Sequence, residues 1–197
     1  MNQKKFFETF QIIYLNGPSS SGKTTLARAL QNALEKPFLL IGIDKIIGFM
    51  PHKINDFNGE SEREGFFWKV GQDPHGHTLY HIQAGPFAKK ITNTLKDIVL
   101  LLAKQGYHII IDDVAFGAVE VEQWKRALRG YNVLYVGVIT PLEILEQRER
   151  DRKDRMIGSA RAQYYTVHEN ASYHLEVDTH AHSLEENVKK ILNYTSN

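Results

Sequence analysis

Residues 17–24, Gly-Pro-Ser-Ser-Ser-Gly-Lys-Thr, fit the pattern G-x-x-x-x-G-K-[ST], and no other stretch of the chain limits its fold so tightly. That pattern functions only where a strand enters it and a helix leaves it. Both flanks are present. Ile12-Ile13-Tyr14-Leu15 is an apolar run suited to a buried strand, and Leu26, Ala27, Leu30, Ala33 and Leu34 recur on one helical face before Pro37 ends the helix. The candidate phosphate cradle is therefore Gly17, Pro18, Ser19, Ser20, Ser21, Gly22, Lys23 and Thr24, with Thr25 just beyond it. Gly17 and Gly22 let the backbone curl so that successive N–H groups converge on one anion, and the helix adds the positive end of its dipole. Lys23 supplies a point charge for β- and γ-phosphates, which makes it a catalytic as well as a binding candidate. The Thr24 hydroxyl is a ligand for Mg²⁺.

A chain of 197 residues is long enough for one α/β domain with a substantial core, and residues 1–197 are read as a single domain built on that loop. Net charge is +1 with both signs interspersed, which argues against a nucleic-acid-coating surface or a polybasic membrane anchor. There are no cysteines, so disulfides, thiol catalysis and thiolate zinc sites are excluded. The longest apolar run, residues 98–103, is too short to cross a bilayer. Glu8 interrupts the only segment that resembles a signal peptide, and that segment ends in the strand feeding the loop. A cytoplasmic protein with no membrane or nucleic-acid partner is the expectation. Oligomeric state has no sequence signal.

Further along, residues 38–44 read as a second buried strand with Asp44 just past its carboxyl end, where ligands of open parallel sheets bind. Asp44 has three readings: a general base for a substrate hydroxyl, a cap for a helix over 45–50, or a Mg²⁺ partner. Residues 48–85 are the least regular part and read as a long loop carrying Phe57, Phe66, Phe67 and Trp68. These aromatics either pack as a core under the loop or line an apolar pocket. His75, His77 and His81 lie nearby without an acidic or cysteine ligand at metal spacing, so surface or hydrogen-bonding roles are expected.

Periodicity predicts a helix over 91–104. His108-Ile109-Ile110-Ile111-Asp112-Asp113 then reads as a Walker B strand, whose acid holds the water shell of Mg²⁺. Adjacent strand residues point to opposite faces, so one of the pair serves the metal, and Asp112 is favoured because it directly ends the apolar run. A strand end capped by solvated acids is the alternative. Residues 119–128 form a helix with Trp124, and residues 133–139 a further buried strand.

The helix from 142 to about 153 is dense in charge. Pairs such as Glu146–Arg150 and Glu149–Lys153 suit a solvated face. Yet Arg148, Arg152 and Arg155 fall at i, i+4 and i+7 on one face, where like charges repel unless an anion meets them. That stripe suits a lid, about residues 142–160, that closes arginines over a γ-phosphate. Residues 164–172 look helical, 174–178 alternate as the last strand, and Ser183 caps a closing helix. Alternating strands and helices imply an α/β fold: a central parallel sheet of about five strands with helices on both faces.

No Asn-Lys-x-Asp guanine motif is present, which sets the chain apart from GTPases. The chain resembles the chloramphenicol phosphotransferase family. The anchors are Leu15-Asn16-Gly17 with the loop, Gly42-Ile43-Asp44, Met50-Pro51, Ile109 to Val114, Tyr135-Val136-Gly137-Val138, the arginine helix, Val167-His168-Glu169 and Glu176-Val177-Asp178-Thr179. The resemblance implies ATP as phosphoryl donor, Mg²⁺, a small-molecule hydroxyl acceptor, Asp44 as base and the arginines in a lid. Residues 53–81 match the family poorly, so the acceptor region, about 48–90, is variable. Two other readings stand beside it: a zeta-toxin-like kinase of nucleotide-sugars or nucleosides, and a nucleotide-binding switch without an acceptor.

Overall fold

The computed structural model describes residues 9–57, 63–152 and 156–194. Its strands, numbered in chain order, are β1 (Ile12–Asn16), β2 (Phe38–Gly42), β3 (Phe66–Gln72), β4 (Thr78–Ala84), β5 (His108–Asp113), β6 (Val133–Ile139) and β7 (Leu175–Asp178). The helices are α1 (Lys23–Ala33), α2 (Ile43–Ile47), α3 (Pro86–Lys104), α4 (Gly117–Ala127), α5 (Leu142–Asp151), α6 (Ser159–Tyr164) and α7 (Leu184–Leu192).

Five strands form one parallel sheet in the order β2-β5-β1-β6-β7, with the loop strand β1 at its centre. A buried parallel sheet needs apolar side chains on both faces. In β1, Ile13 and Leu15 pack with Leu26, Ala27, Leu30, Val188 and Ile191 of α1 and α7. Ile12 and Tyr14 pack on the opposite face with Leu95, Val99, Val121 and Trp124 of α3 and α4. The period-2 alternation of strand side chains thus assigns every residue of β1 and β5 to one helical layer or the other.

Several expectations need correction. β2 is an edge strand and is less buried than its apolar run suggests, with Leu39 exposed. The stretch read as a long loop contains the antiparallel hairpin β3–β4, in register from Phe66 opposite Ala84 to Gln72 opposite Thr78. Its turn is built by Asp73, whose Oδ1 accepts from the N–H groups of His75 and His77, both at 2.9 Å, with Gly76 left-handed at φ 82°. Phe66 belongs to a small core with Met50 and Ala88, whereas Phe57 and Trp68 form a half-exposed ring pair 6.4 Å apart. α3 starts at Pro86, five residues earlier than periodicity predicts, since Pro is preorganised for a first helical turn.

The helix expected over 164–172 is displaced. α6 ends at Tyr164, and residues 165–170 form turns. α7 starts as expected, with a capping box between Ser183 and Glu186. No helix among the described residues is long and apolar enough to cross a membrane.

Candidate active site

The loop after β1 is shaped by what ties down its carbonyls. Ser21 O accepts from the hydroxyls of Thr179 (2.6 Å) and Thr140 (3.3 Å), at the ends of β7 and β6. Because a trans peptide points its C=O and N–H in opposite directions, this turns the Gly22 N–H away from those threonines. Gly22 itself is left-handed, φ 85°, and opens α1. The first α-helical bond of that turn runs from Leu26 N to Gly22 O. The N–H groups at the start of α1 therefore have no partner within the helix and form an anion site with the dipole behind it. Gly17 is required by space: a Cβ there would sit 2.6 Å from Val138 O. Ser20 takes a left-handed φ of 66°, a strained position for a residue with a Cβ.

Lys23 is buried and donates Nζ to Pro18 O at 2.8 Å, across the mouth of its own loop. The Pro18–Ser19 peptide is held from its other end as well. Its N–H, on Ser19, donates to Oε1 of Gln163 at 2.5 Å. Pro18, Ser19, Ser20 and Ser21 form the loop itself, and Lys23, Thr24 and Thr25 open α1.

Alternation along β5 separates the two acids. Asp112 shares the face of Ile110, toward α1, and the Thr24 hydroxyl donates to its Oδ2 at 2.6 Å. Asp113 shares the face of Ile109 and Ile111 and is buried against α4. It accepts from Trp124 Nε1 at 2.6 Å and from the Tyr14 hydroxyl at 3.2 Å. Burial pushes the Asp113 carboxyl upward, against the pull of those hydrogen bonds, and also raises the Tyr14 hydroxyl. Thr24 and Asp112 are hard oxygen donors, the type Mg²⁺ takes when phosphates and water complete its shell. No cluster of three or more His, Cys, Asp or Glu able to hold a metal occurs among the described residues.

Asp44 is exposed in the first turn of α2, directly after β2. In sheet order β5 alone separates β2 from β1, so Asp44 and the loop stand on the same carboxyl edge, two strand spacings or roughly 10 Å apart. Asp112 lies between them at the end of β5.

The charged helix α5 brings one of its arginines to the loop. Arg148 is half-buried and tied down: its Nη1 donates to Ser20 O (3.4 Å) and Thr179 Oγ1 (3.1 Å), and its Nη2 to Thr179 O (3.0 Å). Arg152 is at the end of the helix and exposed. Arg155 lies outside the described residues, as does Lys153. Glu146 pairs with Arg161 of α6 at 2.6 Å rather than forming only a solvated pair along its own helix. Glu149 is buried and accepts three hydrogen bonds at 2.7 Å, from Gly158 N, Ser159 Oγ and Ala160 N. It caps α6 from a different helix.

α6 also meets the hairpin. Arg161 donates to Asp73 Oδ2 at 3.0 Å, and the His77 ring Nδ1 lies 2.9 Å from the same oxygen. Burial pushes the Asp73 carboxyl up, but the bonds from His77, His75 and Arg161 outweigh it and hold the group well below the usual carboxylate range.

Beneath the loop, Asn16 is fully buried. Its Nδ2 donates to Ala115 O and the Tyr173 hydroxyl, and its Oδ1 accepts from Ala115 N. His168 Nε2 lies 3.3 Å from Val138 O and its Nδ1 2.9 Å from the Tyr173 hydroxyl. A carbonyl only accepts, so Nε2 carries the proton and Tyr173 donates to Nδ1. Burial lowers the His168 pKa, consistent with this neutral tautomer. Gln163 and Glu149 had no sequence signal as site residues, because each acts through a contact outside its own helix, Gln163 on Ser19 and Glu149 on the start of α6; Thr179 stood in the family-like run Glu176-Val177-Asp178-Thr179 but carried no role.

Residues 10–196 match the family model described as chloramphenicol phosphotransferase-like protein. A Mycobacterium tuberculosis (strain H37Rv) protein named "Putative O-phosphotransferase Rv2636" is 28% identical over 181 residues, covering 92% of this chain and 80% of that one. Among solved structures, the Mycobacterium tuberculosis APS kinase CysC in complex with AMPPNP and APS gives a TM-score of 0.61 at 12% identity, covering 94% and 96% of the two chains. A gluconokinase from Sinorhizobium meliloti gives 0.52 at 16% identity, covering 93% and 90%. The fold is that of P-loop kinases, and the chain belongs to the chloramphenicol phosphotransferase-like family.

Proposed function

We propose that the chain is an ATP-dependent O-phosphotransferase that moves the γ-phosphoryl group to a hydroxyl of a small molecule, with a chloramphenicol-like amide-diol as the favoured acceptor. The observation that carries this reading is the position of Asp44. It is an exposed carboxylate on the same sheet edge as the phosphate loop, with only the β5 end and its Asp112 between them. A carboxylate there has room to accept the acceptor's hydroxyl proton as the alcohol oxygen attacks the γ-phosphorus in line. The new bond is acceptor O–P, the bond broken joins the γ-phosphorus to the β–γ bridging oxygen, and ADP leaves.

Lys23 and the N–H groups opening α1 hold the β- and γ-phosphates. Thr24 and Asp112 would hold Mg²⁺, which neutralises charge developing on the phosphate oxygens. Arg148, fixed at the loop by Ser20 and Thr179, and Arg152, at the end of α5, add positive charge on the side away from Asp44. Arg155 joins them in the same role, in a lid over residues 142–160. The β3–β4 hairpin and its half-exposed Phe57–Trp68 pair form one wall for the acceptor, within the region of about 48–90.

The test is transfer of label from γ-labelled ATP to a panel of hydroxyl acceptors: chloramphenicol, other amide-diols, sugars, nucleosides and nucleotide-sugars. Product from one acceptor class supports the reading and names the class. ATP turnover indifferent to every acceptor contradicts it and favours a nucleotide switch.

A further inference from the structure

At the sheet edge opposite the phosphate loop, the end of α4 and the starts of β6 and β7 border a cavity of about 320 Å³. β6 enters the sheet here at Val133 and delivers Thr140 to the loop, roughly 20 Å away at the rise of an extended strand. The volume is that of a small ligand pocket. Phosphoryl transfer at the loop makes no use of it.

Leu128 and Val133 give the cavity an apolar lining, and Tyr135 gives it a buried phenol. Tyr135 is 6% exposed, its ring packed against Tyr14, His174 and the Lys125 ammonium at centroid distances of 5.4, 5.5 and 5.8 Å. Its hydroxyl meets no protein group among the described residues, so the side chain presents it to the cavity that it lines. Burial pushes the phenol up from its ordinary value, so it stays a neutral O–H. A tyrosine enclosed to this degree ordinarily has a partner for that group.

His174 also offers a donor. The Tyr135 N–H donates to its Nδ1 at 3.2 Å, so the neutral ring carries its proton on Nε2. Desolvation of the ring and the Lys125 charge lower the His174 pKa and favour that form. Nε2 donates to no protein group among the described residues.

The charges have the matching sign. Lys125 Nζ donates to Glu122 Oε1 at 2.8 Å and to Ser172 Oγ at 2.9 Å, so the acid nearest it is already offset. Arg129 has no carboxylate partner among the described residues. Its guanidinium leaves the cavity net positive, beside two unmet donors and an apolar lining.

We propose that this cavity binds a small organic anion, a carboxylate or phosphate monoester carried on a flat apolar body. Arg129 pairs with the anionic group, the Tyr135 O–H and the His174 Nε2–H donate to it, and Leu128 and Val133 cover the body. The site is separate from the loop and stands whether or not the loop transfers phosphate.

The test measures binding of phenyl phosphate, benzoate, inorganic phosphate and neutral benzyl alcohol to the full chain by saturation-transfer NMR. The variants are Arg129→Gln, which changes an exposed side chain, Tyr135→Phe, which removes the hydroxyl and keeps the ring, and Lys23→Ala at the loop. At least one of phenyl phosphate and benzoate should bind with a dissociation constant of about 1 mM, the range for a ligand of about ten heavy atoms. Benzyl alcohol should bind about tenfold more weakly or not at all. Arg129→Gln should weaken the anion by about tenfold and Tyr135→Phe by about threefold to tenfold, the scale of lost charged and neutral hydrogen bonds. Lys23→Ala should leave it unchanged. Tighter binding of phenyl phosphate assigns the phosphate monoester, and tighter binding of benzoate the carboxylate.

Failure of both organic anions to bind the parent chain at about 10 mM overturns the proposal. So does binding that Arg129→Gln leaves unchanged, or binding lost in Lys23→Ala, which places the anion at the loop. Inorganic phosphate held as tightly as phenyl phosphate overturns it as well, because the apolar lining then contributes nothing.

Discussion

The Thr24 hydroxyl donates to Asp112 Oδ2 across 2.6 Å, so the first turn of α1 and the end of β5 meet in a pair of hard oxygen donors beside the phosphate loop. Asp113, one residue on, is turned to the other face and spends its carboxylate on Trp124 and Tyr14. Replacing each acid in turn should therefore give different outcomes. Asp112→Asn should raise the Mg²⁺ concentration for half-maximal transfer by about tenfold or more, since one carboxylate is much of what a Mg²⁺ site takes from protein. Asp113→Asn should leave that midpoint in place and lower the melting temperature instead. A Mg²⁺ titration of both variants, with melting curves, checks the assignment.

Lys23 should matter for binding before it matters for transfer. Its Nζ crosses the loop mouth to Pro18 O. Lys23→Ala removes a charge from the phosphates and a tether from the loop. Both ATP and ADP should bind about tenfold or more weakly, which calorimetry reads directly.

Glu149 should be a stability residue. Three donors at 2.7 Å converge on its buried carboxylate. Glu149→Ala leaves Gly158 N, Ser159 Oγ and Ala160 N without that acceptor and should cost about 2–4 kcal/mol. For a chain of this size that lowers the melting temperature by roughly 5–15 °C. Glu149→Gln, which keeps one oxygen, should cost less.

Asp73 should make the hairpin contact with α6 acid-sensitive. Its carboxyl is held below the ordinary range by His77, His75 and Arg161 despite the opposing effect of burial. A depressed carboxyl contributes stability above its unfolded value of about 3.9, and that contribution is lost as pH falls toward the folded value. Urea midpoints of the parent chain and Asp73→Asn should differ at pH 5. The gap should shrink as pH drops below about 4. A gap that is constant between pH 5 and 3 contradicts the account.

What could be read in the sequence was what is encoded locally. β1, the loop and α1 follow from one motif and its apolar flanks, and the opposite facing of Asp112 and Asp113 follows from strand alternation alone. The hairpin is not legible in the sequence because its turn carries no Asn-Gly or Asp-Gly pair. It depends instead on Asp73 bonding forward to His75 and His77. The bounds of α6 leave no local signal, since Gly158 precedes it in a left-handed conformation and its cap, Glu149, comes from α5. Helix periodicity marks Arg148 as part of an arginine stripe, but its partners, Ser20 and Thr179, come from the loop and the end of β7 and cannot be read from that stripe. Gln163 gave no signal, since nothing near it in sequence marks it as a partner of Ser19. Long-range polar contacts of this kind leave no periodicity behind.

The role of Asp44 is decided by ATP affinity and phosphoryl transfer measured side by side in Asp44→Asn, with the acceptor that the panel identifies. Binding of ATP should stay within about twofold of the parent chain, because Asp44 lies away from the phosphate cradle. Transfer should fall by about a hundredfold or more, the scale of a lost general base. Transfer at the parental rate in that variant would contradict the account.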